Sequence, residues 1–198
     1  SPVSDTLPDM FGLVEIIRPA PILKQSPSAV DSCEIGIPQL GTYLPIVSPS
    51  EKLGLIEKNK IEQYKLIKND VVLSTKGTIG KVGLIGLEPL SGDAIPVSSN
   101  SCVALRIRPG VPMTAEALMM YFCSDDGKKQ LKMLSVGATV AALPLESVKK
   151  IAIPKDCLVG GMRAESYLRA FNELKVLSTE RLKIENQIAE VEKTTFRL

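Results

Sequence analysis

The sequence contains no histidine. That removes the commonest general base and the commonest transition-metal ligand, and with them most catalytic triads and hydrolytic zinc sites. Its four cysteines, Cys33, Cys102, Cys123 and Cys157, are widely spaced and form no C-x-x-C pair, so they read as reduced, mostly buried thiols. No apolar run approaches the length of a membrane span, and the amino terminus lacks the basic-then-apolar pattern of a signal peptide. These absences point to a cytoplasmic protein with no membrane association and no metal site. Asp125-Asp126 beside Lys128-Lys129 reads as a solvated helix end rather than a tuned acid and base pair, so no catalytic residue is expected.

What is present is enough for one core and an appended element: 198 residues, 44% hydrophobic and 23% charged. The formal charge of +2 neither requires nor excludes a polyanionic partner, because a local patch can do what net charge does not show. The most informative stretch is Lys76-Gly77-Thr78-Ile79-Gly80-Lys81-Val82, two glycines flanked by two lysines, directly after the apolar run Val71 to Leu73. A glycine turn lets a backbone approach a partner closely while lysines hold phosphate. A plain β-hairpin explains the same glycines through positive φ. The nucleoside triphosphate loop is excluded by spacing, since two residues rather than four separate the glycines and Val82 follows Lys81. A dinucleotide site is disfavoured because a strand, not a helix, follows the turn.

Along the chain, residues 1–32 are rich in Pro and Ser and read as a linker that includes an edge strand, Leu13 to Ile17. Ile35 to Leu44 is a weak strand and turn, Pro45 to Asn59 a polar loop, and Lys68-Asn69-Asp70 a turn opening the buried strand at Val71. Val82 to Leu87 and Val103 to Ile107 are further strands. Thr114 caps a helix containing Ala117, Leu118, Tyr121 and Phe122; Ser124 to Gly127 breaks it, and a second helix runs to Leu134. Gly137-Ala138-Thr139 makes a turn, and Lys150 to Ile153 reads as a strand closed by Pro154. The class is α+β.

From Arg163 to about Thr195 the chain has no Gly or Pro and many charges, which as a helix would extend roughly 50 Å. On a heptad count Ala170, Leu177, Ile184 and Val191 share one seam position and Tyr167, Leu174, Arg181 and Ile188 the other. Leu168, Phe171 and Leu182 widen the stripe. Packing on its own domain would explain a shorter stripe; this length favours a helical partner.

The order of features, Leu66-x-x-x-Asp70-Val71-Val72-Leu73-Ser74-x-Lys76-Gly77-x-x-Gly80-Lys81-Val82, then Asn100-x-x-x-x-Leu105-Arg106, a helix, Gly137-Ala138-Thr139, Leu143-Pro144-Leu145, Ile151-Ala152-Ile153-Pro154 and a long helix, resembles a target-recognition domain of type I restriction-modification specificity subunits. The resemblance covers about residues 35–195. It implies a mixed twisted β-sheet domain with flanking helices over 33–160, followed by one long coiled-coil-type assembly helix over 161–198. It also implies reading of double-stranded DNA by the domain and holding of an adenine-N6 DNA methyltransferase by the helix. Such subunits carry two recognition domains and two long helices, whereas this sequence has one of each. The expectation is therefore a half-subunit, a fragment, or the carboxy-terminal region of a methyltransferase. The Asn/Asp-Pro-Pro-Tyr/Phe motif of adenine methyltransferases does not occur, so catalysis and S-adenosylmethionine belong to the associated methyltransferase and no cofactor is expected on this chain.

Under that resemblance Lys76, Lys81, Arg106 and Arg108 are candidates for phosphate contacts, and Gln39, Thr42, Tyr43 and Thr78 for base edges. Solvated charge on a sheet face is the plainer reading for Arg106 and Arg108. Gly77 and Gly80 are structural turn residues, and Gly137 with Thr139 forms either a second DNA-facing loop or a turn before a strand. Leu174, Leu177, Ile184, Ile188 and Val191 mark the assembly face, whose partner is a methyltransferase or a second copy of the chain. The alternative function is a protein-interaction module acting through the helix alone, without DNA binding.

Overall fold

The computed structural model describes residues 10–41, 50, 53–86 and 92–196. The strands are β1 (Val14–Ile17), β2 (Ala29–Ile35), β3 (Leu53–Glu57), β4 (Val71–Ser74), β5 (Val82–Leu84), β6 (Ile95–Ser98) and β7 (Cys102–Ile107). The helices are α1 (Met10–Leu13), α2 (Ile61–Tyr64), α3 (Ala115–Cys123), α4 (Asp125–Leu134), α5 (Leu145–Lys149) and α6 (Met162–Phe196), with short 3-10 turns at Ile37–Gln39, Lys58–Lys60 and Lys155–Cys157.

Two sheets form rather than one. An antiparallel sheet has the order β1-β7-β4-β5, and a smaller one has the order β3-β2-β6, with β2 antiparallel to β3 and parallel to β6. The larger sheet is buried on both faces, which is why β4 reads as a continuous apolar run. Val71 and Leu73 on β4 and Val103 and Leu105 on β7 face the helices, packing with Leu118, Phe122, Leu131 and Ile151. Their neighbours Val72, Cys102 and Ala104 face the smaller sheet and pack with Cys33 and Ile35. The layers are therefore helices, large sheet, small sheet. At these burial levels each large aliphatic side chain contributes about 1.5–3 kcal/mol.

Helix ends follow the polar residues. The Thr114 hydroxyl accepts from Ala117 N–H at 3.1 Å and opens α3. Ser124 both donates to the Tyr121 carbonyl at the end of α3 and accepts from Gly127 N–H at 3.1 Å, so a single side chain closes one helix and starts the next.

Several expectations change. β1 is an edge strand, paired to β7, but β2 starts at Ala29 and crosses the expected boundary at residue 32. β3 lies inside the expected polar loop, and β6 was not foreseen. The segment Lys150 to Ile153 is not a strand: α5 ends at Lys149, and Ile151 and Ile153 are buried without joining either sheet. A side chain replaces the missing ladder there. Ala152 N–H donates to Gln130 Oε1 at 2.6 Å, and Gln130 Nε2 donates to the Ala152 carbonyl at 2.9 Å, satisfying that peptide without a neighbouring strand.

The long helix forms, over 35 residues. Its first turns pack on the domain through Ala164 and Phe171, with Arg163 bridging to Asp126 at 3.1 Å. Every described residue from 179 to 196 is exposed.

Candidate nucleic-acid interface

β4 and β5 are adjacent antiparallel strands, so residues 75–81 must reverse the chain at one end of the large sheet. The turn is locked from inside. Ser74 Oγ donates to the Thr78 carbonyl at 2.5 Å and accepts from Lys81 N–H at 2.9 Å, while Gly80 N–H donates to the Ser74 carbonyl at 3.2 Å. Gly77 and Gly80 take φ of 74° and 84°, a region where any Cβ is strained.

Two further segments converge on the same end. Thr75 and Lys76 N–H groups donate to the Ser101 carbonyl at 2.7 and 3.3 Å, and Gly77 N–H donates to the Ala141 carbonyl at 3.2 Å. Residues 136–142 form their own reversal, with Val136 and Ala142 exchanging hydrogen bonds at 2.8 and 2.9 Å. Gly137 has φ of 99°, and an added Cβ would lie 2.3 Å from the Val140 carbonyl oxygen. The expected second loop thus sits beside the first, with Thr139 exposed on it.

A groove of about 450 Å³ opens between the turn and α4. Ile79, Leu131 and Ala141 supply apolar lining; Lys81, Lys128, Lys132 and Ser135 supply polar groups. None of these three lysines is held in an ion pair among the described residues. Three cations around one concavity, with no lining carboxylate among the described residues, attract an anion and repel one another until it arrives. A second concavity, about 250 Å³, lies on the other side of the turn and is lined by Arg18, Lys76 and Asn100 among others. Lys76 and Lys81 therefore serve different grooves at one end of the sheet.

Arg106 does not join them. It lies toward the opposite end of β7, where Nε donates to Asp70 Oδ1 and Nη2 to Asp70 Oδ2, both at 2.8 Å, and Nη2 also donates to the Lys65 carbonyl at 2.9 Å. The hydrogen bonds to Asp70 hold its guanidinium above its already high ordinary range, against the opposing effect of burial. This is a structural fork rather than a phosphate contact. Gln39 is likewise committed: its Oε1 accepts from Gly36 N–H at 2.9 Å and closes the turn after β2. Thr78 and Lys76 are exposed on the turn. Thr42 and Tyr43 lie outside the described residues. Among the described residues no cluster of potential metal ligands occurs, and no helix is long and apolar enough to cross a membrane.

Arg18 and Lys132 were not singled out in the sequence, and Lys128 was read only as part of a solvated helix end. Lys128 and Lys132 are four residues apart with the buried Leu131 between them, spacing that puts both ammonium groups beside an apolar anchor on one helix face. That was the available signal.

No protein-family model matches the sequence, and no curated protein matches it significantly. Solved structures do. The chain is similar to the S subunit of a type I restriction-modification system from M. genitalium, with a TM-score of 0.55 and 13% identity over 98% of this chain and 45% of that one. It is also similar to a chain from a structure concerned with complex assembly and conformational transition of the type I restriction-modification system, with a TM-score of 0.52, 15% identity, and coverage of 100% of this chain and 44% of that one. The fold is that of a type I target-recognition domain with its long helix. The chain spans less than half the length of these relatives.

Proposed function

We propose that this chain is a non-catalytic module that recognises a sequence in double-stranded DNA and targets an adenine-N6 DNA methyltransferase of a type I-like restriction-modification system. The observation that carries this reading is the groove in which Lys81, Lys128 and Lys132, unpaired among the described residues, stand beside a glycine turn locked by Ser74. The lysines neutralise phosphates and fix register, while the exposed Thr78 and Thr139 offer hydroxyls to base edges. Rigidity matters because a turn locked by Ser74 loses little conformational entropy on binding. S-adenosylmethionine and the methyl transfer belong to the methyltransferase, which the projecting α6 holds in place.

The test is fluorescence anisotropy with a random duplex across a salt series. Neutralising phosphates at these three lysines contributes about −3 to the log–log slope, superimposed on weak affinity for a single module. No binding at low ionic strength, or binding indifferent to salt, removes the DNA reading. It would leave the second one, an interaction module acting through α6 alone, which the exposure of Leu177, Ile184 and Val191 favours.

A further inference from the structure

We propose that Val140 is a specificity-determining residue whose isopropyl group packs against the 5-methyl group of a thymine in the major groove. The inference rests on the DNA reading above and names one base contact within it. The turn at 75–81 and the reversal at 136–142 are joined: Lys76 and Ala142 form an antiparallel bridge, and Gly77 N–H donates to the Ala141 carbonyl at 3.2 Å. Together they make a ridge with a cationic groove on each flank. Lys81 and Ala141 line the groove that holds Lys128 and Lys132, whereas Lys76 and Ala142 line the one that holds Arg18.

The crest between the grooves is uncharged. Residues 136–140, Val-Gly-Ala-Thr-Val, are exposed without a break, and Val140 is 67% exposed. With cations on both flanks to hold phosphates, the crest is left to meet base edges. The major groove admits a two-stranded ribbon, and the apolar group that base edges present there is the thymine methyl. The minor groove presents acceptors and the guanine amine instead, so an apolar crest has no counterpart in it. Val140 is also held in place. Val136 and Ala142 exchange backbone hydrogen bonds at 2.8 and 2.9 Å, and the Val140 carbonyl lies so close to Gly137 that an added Cβ would come within 2.3 Å of its oxygen. A β-branched side chain on a held backbone loses little rotamer freedom when it makes a contact.

The experiment uses the full chain at low salt. A duplex is selected from a randomised pool, and each of its thymines is replaced singly by deoxyuridine, which removes the 5-methyl group and keeps every hydrogen-bonding group of the base. Fluorescence anisotropy is expected to show one replacement weakening wild-type binding about three-fold or more, the scale of one buried methyl group. The same replacement should change nothing for Val140→Ala, which should bind the parent duplex about as weakly as the wild type binds the uracil duplex. Val140→Ile should restore the sensitivity, and the salt slope should be the same in all three proteins because no phosphate contact is lost. Circular dichroism checks folding; if Val140→Ala loses structure, Val140→Asn takes its place. A methyl effect of equal size in wild type and variant, a methyl effect at no thymine, or salt-dependent binding without any enriched sequence overturns the Val140 contact and leaves the DNA reading standing. Absence of binding to every duplex at low salt overturns both.

Discussion

Arg106 and Asp70 lock the far end of the large sheet from the basic grooves: their two parallel hydrogen bonds of 2.8 Å join β7 to the turn that opens β4. Asp70 is fully buried, and its Oδ2 also accepts from Ile67 N–H at 2.8 Å, closing the turn whose corner is Asn69 at φ 72°. Removing one member leaves the other desolvated and unpaired. Asp70→Ala and Arg106→Leu should each lower stability by about 3 kcal/mol in urea unfolding. Arg106→Leu should leave the salt slope of DNA binding unchanged; a slope reduced by one would return Arg106 to the interface.

The glycines of the basic end should rank by what surrounds them. Gly77, at φ 74°, has only Ile37 Cδ1 at 3.9 Å from an added Cβ, whereas Gly137, at φ 99°, would drive that atom against the Val140 carbonyl at 2.3 Å. Gly77→Ala carries backbone strain alone, about 1 kcal/mol, and Gly137→Ala adds a backbone collision. Calorimetry should give the larger drop in Tm for Gly137→Ala. Equal drops would mean that the 136–142 reversal adjusts freely.

Much of the central architecture was legible because its signals are local. Val71-Val72-Leu73 announces a strand buried on both faces, Thr114 and Ser124 announce helix ends, and the Gly- and Pro-free stretch announces α6. β3 and β6 were hidden by the residues that fit them to their neighbours. Gly54 stands in β3 where Ile22 Cγ2 would meet a Cβ at 2.6 Å, and Pro96 is tolerated in β6 because that strand lies at an edge of the small sheet. Ile151 to Ile153 looks like a strand because an apolar run cannot reveal whether its peptide pairs with another strand or with the Gln130 amide. The same limit governs the site. Lys76 and Lys81 are close in sequence yet line separate grooves, and Lys81 gains Lys128 and Lys132 only through the packing of α4.

The thiols offer a check on the core. Burial pushes both the Cys102 and the Cys157 thiol up to about 11, so at pH 8 each is protonated as well as shielded. Neither should react with a thiolate-directed reagent in the native protein, and both should react once urea unfolds the chain. Mass spectrometry of the labelled peptides reads the result; native labelling of Cys102 would place the interface between the two sheets nearer to solvent than described.

Leu177 and Ile184 are 52% and 55% exposed, so charge at these positions costs the folded monomer little. Leu177→Asp/Ile184→Asp should keep the wild-type Tm for the globular portion while abolishing capture of any helical partner, because two buried carboxylates would each lack a counter-ion. A Tm lowered by several degrees would show instead that the stripe packs on its own domain.

The lysine groove separates positioning from folding. Lys81, Lys128 and Lys132 form no ion pair among the described residues and project from elements already fixed by Ser74, Leu131 and the 136–142 reversal. Changing all three to Gln should therefore leave Tm within about 1 °C, since surface substitutions cost within about 0.5 kcal/mol. Duplex binding should weaken for every sequence alike, with the salt slope moving toward zero by about 3, one for each lost phosphate contact. Lys76→Gln should subtract one more if the Arg18 groove follows the same strand of DNA. An unchanged slope in the triple variant, with folding intact, would move the DNA surface off this end of the sheet.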